Sequence, residues 1–424
     1  MIYRPVVDQF PVIPALDPWS AAVFAAAFLG ALALTVRRPA YGACALIAVM
    51  PFALYREVFS TAMTLPRPVL LGVLVGLTTY RGAFAVLRSR PMFWIGGALL
   101  AYTCATALSG IGAAHLDLVL RETFKDLEYL LVLVAAYVCY RLDPDADCTL
   151  GALAGVTVAV SLSALAQEVI GAPSGLYVGN AVVPRIAGVL EGPNQLAGYY
   201  DLAIPALGAW AVTKRTTLAA AALALATAAD VLTFSRSGLL AVGAAAVLLV
   251  VVYGRPMLVA LRPAYAGFAA GVAVIAGWGI YVHSANVFRM SIESAYAGGV
   301  GNRKELWAAA IRMFLRHPLT GVGAGNYELE LPFYGVLGVR THANSWYLQS
   351  LAEGGILLFG ATLAMLAAFA VTFARAVRRS PWISGALAGA LALALHQIAD
   401  YLVFFPKIGG TWWVLAGIAC AALP

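Results

Sequence analysis

Charge is scarce in this sequence. Asp, Glu, Lys and Arg make up 11% of its 424 residues, against roughly 25% in a soluble globular domain. Hydrophobic residues make up 62%. A water-soluble fold of this length is excluded, because no aqueous core hides so much apolar surface. The bilayer must be the solvent. Cysteine is also sparse: Cys44, Cys104, Cys139, Cys148 and Cys420 stand in or beside apolar stretches, with no CxxC pair. No disulfide framework or zinc ribbon is therefore legible. Internal repeats and low-complexity linkers are missing, which argues for a single membrane domain over 1–424. A cleavable leader pattern is missing too. Pro5, Pro11, Pro14 and Pro18 keep the N-terminus irregular, and Trp19 onward reads as an uncleaved anchor.

What the chain does have is long apolar runs. A spanning helix needs about 20 predominantly apolar residues. Segments near 19–36, 40–54, 68–86, 92–111, 127–140, 149–170, 196–213, 217–234, 239–253, 264–282, 346–373, 382–402 and 408–422 meet or approach that length. The second and last are short, and a re-entrant path for one of them lowers thirteen to twelve. The fold class is all-α: a polytopic integral membrane protein with about 12–13 transmembrane helices and one long polar loop, 283–345.

The net charge of +7 does not imply a nucleic-acid partner. Arg37–Arg38, Arg81/Arg88/Arg90, Lys214–Arg215, Arg255/Arg262 and Arg375/Arg378/Arg379 fall in short loops on or near one side. That is the positive-inside pattern, and it marks the cytoplasmic face. The opposite face receives Gly171–Asn194, the Ser235–Ser237 turn and the loop His283–Ser345. Within that loop Asn302 and Glu305 have capping-box spacing. Leu306, Ala310 and Met313 follow at helical spacing, and His317–Pro318 ends the run. The pattern predicts an amphipathic helix along the membrane surface or over a cavity, presenting Arg303, Arg312 and Arg316 away from its apolar stripe.

Four places on the outer face carry candidate chemistry. Pro184–Asn194 is irregular and Gly/Pro-punctuated, and backbone of that kind at membrane depth must be buried in protein or line a watery cavity. Thr233-Phe234-Ser235-Arg236-Ser237-Gly238 puts a cation at the mouth of two helices. Arg303 stands in the first turn of the loop helix, and His342 lies just before the next span. Each has a bland alternative: Arg185 and Arg236 as snorkelling anchors, Arg303 as a solvated helix residue, His342 as an idle interfacial imidazole. Together, three arginines and a histidine on one face suit an anionic ligand and a proton acceptor. The guanidinium fork matches diphosphate oxygens, and histidine is the natural base near neutral pH.

Other signals are weaker. Gly321-x-Gly323-x-Gly325 follows no strand and opens no helix, so it is not a dinucleotide fingerprint. Asp143, Asp145 and Asp147 lie on the cytoplasmic side, away from the cluster. His396 and Asp400 stand four apart on one predicted helix face, either bonded within the bundle or forming a proton relay. Glu353 within a span packs or hydrogen-bonds near Gly354–Gly355.

In this order the segments resemble the O-antigen ligase and polymerase superfamily of bacterial envelope enzymes. Arg185-x-x-Gly188 with Pro193-Asn194-x-x-Ala197 looks like its first motif, and Thr233–Gly238 resembles its second. Arg303-x-x-x-Trp307 with His317-Pro318-Leu319-Thr320-Gly321-Val322-Gly323-x-Gly325-Asn326-Tyr327 resembles its periplasmic-loop signature. His342-x-Asn344 with Leu348-Gln349-x-Leu351-Ala352-Glu353-x-Gly355 resembles its last. The match spans about 185–360. It departs at Ala343, which stands where the family's histidine most often precedes the asparagine.

The resemblance implies a glycosyltransferase in the bacterial inner membrane, its active site facing the periplasm. The donor would be an undecaprenyl-diphosphate-linked glycan and the acceptor lipid A–core, with no metal or cofactor. Arg185, Arg236 and Arg303 would hold the leaving diphosphate, and His342 would take the proton from the attacking hydroxyl. Attack opposite the diphosphate would invert the anomeric centre. Asn194, Asn344 and Tyr327 are supporting candidates. A polymerase would use the same donor, but the single long loop favours a ligase. A lipid-linked oligosaccharide transporter is the alternative from another class; it would place charges near the midplane and show repeats.

Overall fold

The computed structural model describes residues 15–52, 55–58, 61–172, 174–178, 181–281, 301–377 and 379–423. Its helices, in chain order, are α1 (Pro18–Arg37), α2 (Pro39–Val49), α3 (Pro66–Leu77), α4 (Arg90–Leu108), α5 (Leu116–Leu142), α6 (Ala146–Ile170), α7 (Pro193–Thr213) and α8 (Thr217–Leu232). They continue with α9 (Arg236–Tyr253), α10 (Arg255–Ala260), α11 (Arg262–Tyr281), α12 (Gly301–Arg316), α13 (Tyr327–Glu330), α14 (Trp346–Ala376), α15 (Pro381–His396) and α16 (Pro406–Ala421). Each of the thirteen apolar segments overlaps one of these, although those near 40–54, 68–86 and 382–402 run past the helix ends at Val49, Leu77 and His396. α1, α4, α6, α9 and α14 are long and apolar enough to cross a membrane unaided, while α2, α3, α8 and α15 are shorter apolar helices. The protein is an all-α polytopic membrane protein.

Proline-rich boundaries suit this architecture. α1, α2, α3, α7, α15 and α16 all open on proline, where the missing N–H has no intrahelical partner to lose. Small residues then let the helix backbones approach one another. A Cβ on Gly385 would stand 2.4 Å from both Ala209 Cβ and the Pro205 carbonyl oxygen, and one on Gly389 2.8 Å from the Leu202 carbonyl oxygen. α7 and α15 therefore pack almost backbone to backbone, and nearly all of α7 is buried.

Several expectations change. Two antiparallel hairpins appear, β1 (Tyr55–Val58) with β2 (Thr61–Thr64), and β3 (Ser174–Val178) with β4 (Ala181–Arg185). The second replaces part of the segment read as irregular, because β-branched and aromatic residues flank Gly179-Asn180, a hairpin-type dipeptide in sequence. α12 already includes Gly301, so Asn302 lies within its first turn rather than at the cap. Its apolar stripe (Leu306, Ala309, Ala310, Met313) packs on Tyr327, Leu331, Tyr334, Val336 and Ala352. The helix thus lies on a protein core and not with that stripe in lipid. Residues 282–300 of the long loop lie outside the described residues.

The glycines of the loop have a structural use. Gly321, Gly323 and Gly325 all take positive φ, as does Gly355, where α14 is kinked. Backbone bonds join Val322 N–H to Ala352 O (2.9 Å), Gly323 N–H to Glu353 O (2.8 Å) and Ile356 N–H to Pro318 O (2.9 Å). A Cβ on Gly321 would fall 2.3 Å from the Glu353 carbonyl carbon. The loop is clamped against the broken helix, which leaves no cradle for a dinucleotide. At other helix ends Arg38 binds Asp143 (2.8 Å) and Asp145 (3.3 Å), and Lys214 binds Asp147, so those acids pair with basic residues of neighbouring loops.

Candidate active site

The β3–β4 hairpin ends on Arg185 and delivers it, half-buried, to the entrance of α7. Its Nε donates to the Thr233 carbonyl (2.6 Å) and its Nη2 to Asn194 Oδ1 (2.8 Å). Asn194, in the first turn of α7, passes the connection on: its Nδ2 donates to Asp400 Oδ2 at 2.6 Å. Asp400 Oδ1 in turn accepts the Tyr401 N–H (2.8 Å). Burial pushes the Arg185 guanidinium down to about 10, Asp400 acts against that, and the like charges of Arg236 and Arg303 lower it further. Arg236 and Arg303 are therefore both within electrostatic range of Arg185. A group of like charges held together in this way favours an anionic ligand.

The Thr233–Gly238 turn is built to present Arg236. Phe234 has φ +53, a sparsely populated conformation for an aromatic residue. Thr233 Oγ1 donates to the Asp230 carbonyl (2.6 Å) and accepts the Ser235 N–H (3.1 Å). Beneath the turn, Ser235 Oγ lies 3.4 Å from His396 Nε2, and His396 Nδ1 lies 2.6 Å from Asp201 Oδ2. His396 and Asp201 are fully buried. α15 ends at His396, so His396 and Asp400 do not share a helix face: one goes down to Asp201, the other across to Asn194.

His342 sits on the far side of Asp400–Tyr401. Its ring lies 4.2 Å from Phe404, 5.3 Å from Tyr401 and 6.4 Å from Phe405, centroid to centroid. Nδ1 is 3.0 Å from Glu328 Oε1. Burial, with the nearby Lys125 charge second, pushes the imidazole down to about 4, and burial raises the Glu328 carboxyl. The imidazole is neutral at physiological pH. With Nδ1–H donated to Glu328, Nε2 keeps the lone pair that a base needs. The carboxylate then stands ready to stabilise the imidazolium that proton abstraction would create.

The other candidates separate. Asn344 has φ +49, a conformation asparagine tolerates, and it sets the turn that lets Ser345 cap α14. Ala343, buried, donates its N–H to Gln349 Oε1 (2.8 Å). Tyr327 is fully buried, and its hydroxyl donates to the Leu306 carbonyl (2.7 Å), pinning α12. Glu353 accepts from Gln349 (2.8 Å) and the Tyr327 N–H (3.3 Å). Sequence reasoning missed Glu328, whose only signal was its place directly after Tyr327 in the loop signature. Asp400 was noticed for the wrong partner. Among the described residues, no group of three or more His, Cys, Asp or Glu is placed to hold a metal ion.

The fold and site define a polytopic helical membrane protein in which Arg236 and Arg303 lie within electrostatic range of Arg185. Residues 221–362, about a third of the chain, are similar to the family described as O-antigen ligase. The matched stretch holds Arg236, Arg303, Glu328 and His342, while Arg185, Asn194 and Asp400 reach the site from outside it. No curated protein matches the chain.

Proposed function

We propose that this chain transfers a glycan from an undecaprenyl-diphosphate carrier to a lipid A–core acceptor at the periplasmic face of the bacterial inner membrane. The observation that carries the proposal is the continuous connection from Arg185 through Asn194 and Asp400–Tyr401 to His342 and Glu328. In this scheme Arg185, Arg236 and Arg303 hold the diphosphate and neutralise the charge that grows on it as the glycosidic bond breaks. His342 Nε2 takes the proton from the acceptor hydroxyl, and Glu328 balances the resulting imidazolium. Attack from the face opposite the diphosphate inverts the anomeric centre. No step calls for a metal.

The test is reconstitution of the purified protein with a lipid-linked glycan and, separately, lipid A–core or a second lipid-linked glycan as acceptor. Glycosylated lipid A–core supports the ligase, and a lengthened lipid-linked chain would make the protein a polymerase. Absence of either product, with the donor consumed or moved intact across the bilayer, would overturn the proposal.

A further inference from the structure

The loop helix carries two guanidinium groups that the scheme above does not use. Because Leu306, Ala309, Ala310 and Met313 face the protein core, Arg312 and Arg316, four residues apart on one side of the helix, are exposed. A short 3₁₀ turn, Leu331–Tyr334, packs beside them. Arg312 donates through Nε (3.2 Å) and Nη2 to the Tyr334 carbonyl, and the Arg316 charge lies near the Tyr334 hydroxyl. Gly335 closes the turn at φ +84.

Between helix and turn opens a cleft of about 620 Å³, lined by Arg312, Arg316, Phe333, Tyr334 and Gly335. That volume is in the range of small-molecule sites, roughly 300–1,000 Å³, and the cleft is wide open on its outer side, as suits a headgroup entering from the membrane surface. Among the described residues, no carboxylate lines it. Phe333 stands 76% exposed, and Leu315, Leu319 and Leu337 are also exposed. Paired guanidinium forks grip phosphate oxygens bidentately, an aromatic face packs on the C–H face of a sugar, and exposed leucines suit hydrocarbon. Phosphate, sugar and acyl chain together describe a phosphorylated glycolipid. A plain anionic phospholipid shares the phosphate but has no need of an aromatic-walled cleft. Arg312 lies nine residues along the helix from Arg303, about 13.5 Å at 1.5 Å per residue, a distance that a headgroup of a few sugars spans.

We propose that the Arg312–Arg316–Phe333 cleft is the acceptor subsite, gripping a phosphate on the glycolipid headgroup while a sugar hydroxyl farther along reaches His342. The proposal rests on the transferase function above and adds the place on the chain that holds the acceptor and the headgroup phosphate by which it is held.

The experiment uses full-length protein in phosphatidylcholine nanodiscs, with a phosphorylated oligosaccharide glycolipid and its dephosphorylated counterpart. Both direct binding and transfer are measured. The wild type should bind the phosphorylated form about tenfold more tightly, as expected for a charge-assisted contact. Arg316→Glu should erase that preference and raise the acceptor KM about tenfold with the donor KM unchanged. Phe333→Ala should weaken both acceptors. Arg316→Lys should restore part of the preference and show that the site still folds. Equal binding of the two glycolipids by the wild type would overturn the subsite while leaving the transferase function intact. Displacement of the glycolipid by phosphatidylglycerol at equal concentration would also overturn it, assigning the cleft to bilayer headgroups. Because binding is read without turnover, failure of transfer alone would count against the transferase and not against the subsite.

Discussion

Replacing Glu328 with Gln tests whether the His342 base works with a carboxylate partner. The amide can still accept the Nδ1–H across the same 3.0 Å, so tautomer and ring position should persist. What disappears is the negative charge that meets the imidazolium. A hydrogen bond to a charged group contributes about 1.5–3 kcal/mol, and one between neutral groups about 0.5–1.5. The pair is mostly shielded, with side-chain exposures of 21% and 27%, so water replaces the lost charge only in part. The difference is about 1.4 kcal/mol, or roughly tenfold in rate. Glu328→Ala removes orientation as well and should cost more, toward the lower end of the 10²–10⁴-fold typical of general-base catalysis. Single-turnover transfer with a lipid-linked donor measures both variants, and donor KM should stay at the wild-type value because Glu328 makes no contact with the arginine group. Wild-type turnover in Glu328→Ala would refute the base assignment. A Gln variant slower than the Ala variant would refute the charge argument.

Four further predictions follow from the same geometry. Arg185→Ala, Arg236→Ala and Arg303→Ala should each severely reduce transfer in correctly inserted protein. The Lys variants should recover only part of it, because the ammonium keeps the charge without the fork, and full activity in all three Lys variants would contradict bidentate binding. The His342 imidazole, held near 4, is neutral at every pH above that value, so kcat/KM should show no loss at the ordinary histidine pKa; a first decline of about tenfold should come as the Glu328 carboxyl, raised by burial, is protonated, and the steep fall as pH drops through about 4. Loss centred near the ordinary histidine value of about 6.5 would show that burial does not hold the base neutral. Transfer should survive EDTA, and activity that Mg²⁺ or Mn²⁺ restores after chelation would rule out a mechanism on arginines alone. Reporters fused within 321–334 should read periplasmic and those at Arg215 or Arg379 cytoplasmic; a cytoplasmic reading for the loop would put the site on the wrong side of the donor.

Hydropathy alone determined that this chain is a helical membrane protein, because scarcity of charge leaves the bilayer as the only solvent for its surface. The loop helix was equally plain, since its apolar residues recur at helical spacing. Arg185, Arg236 and Arg303 drew notice one by one, as cations in polar segments of a chain that has few. Their grouping was not readable, because Arg185 and Arg303 are separated by more than a hundred residues and only folding brings their charges within range. Asn344 and Tyr327 stood out through the motifs that carry the resemblance, and the structure adds what those motifs did not contain: a positive φ at Asn344 and a carbonyl partner for the Tyr327 hydroxyl. Only the tertiary structure decided that His342 has Glu328 as partner, and that Asp400 turns to Asn194 while His396 turns to Asp201. The physical reason is that period and composition describe how one segment meets its solvent. Which carboxylate faces which imidazole depends on where α15 ends and how the glycine loop is clamped to α14.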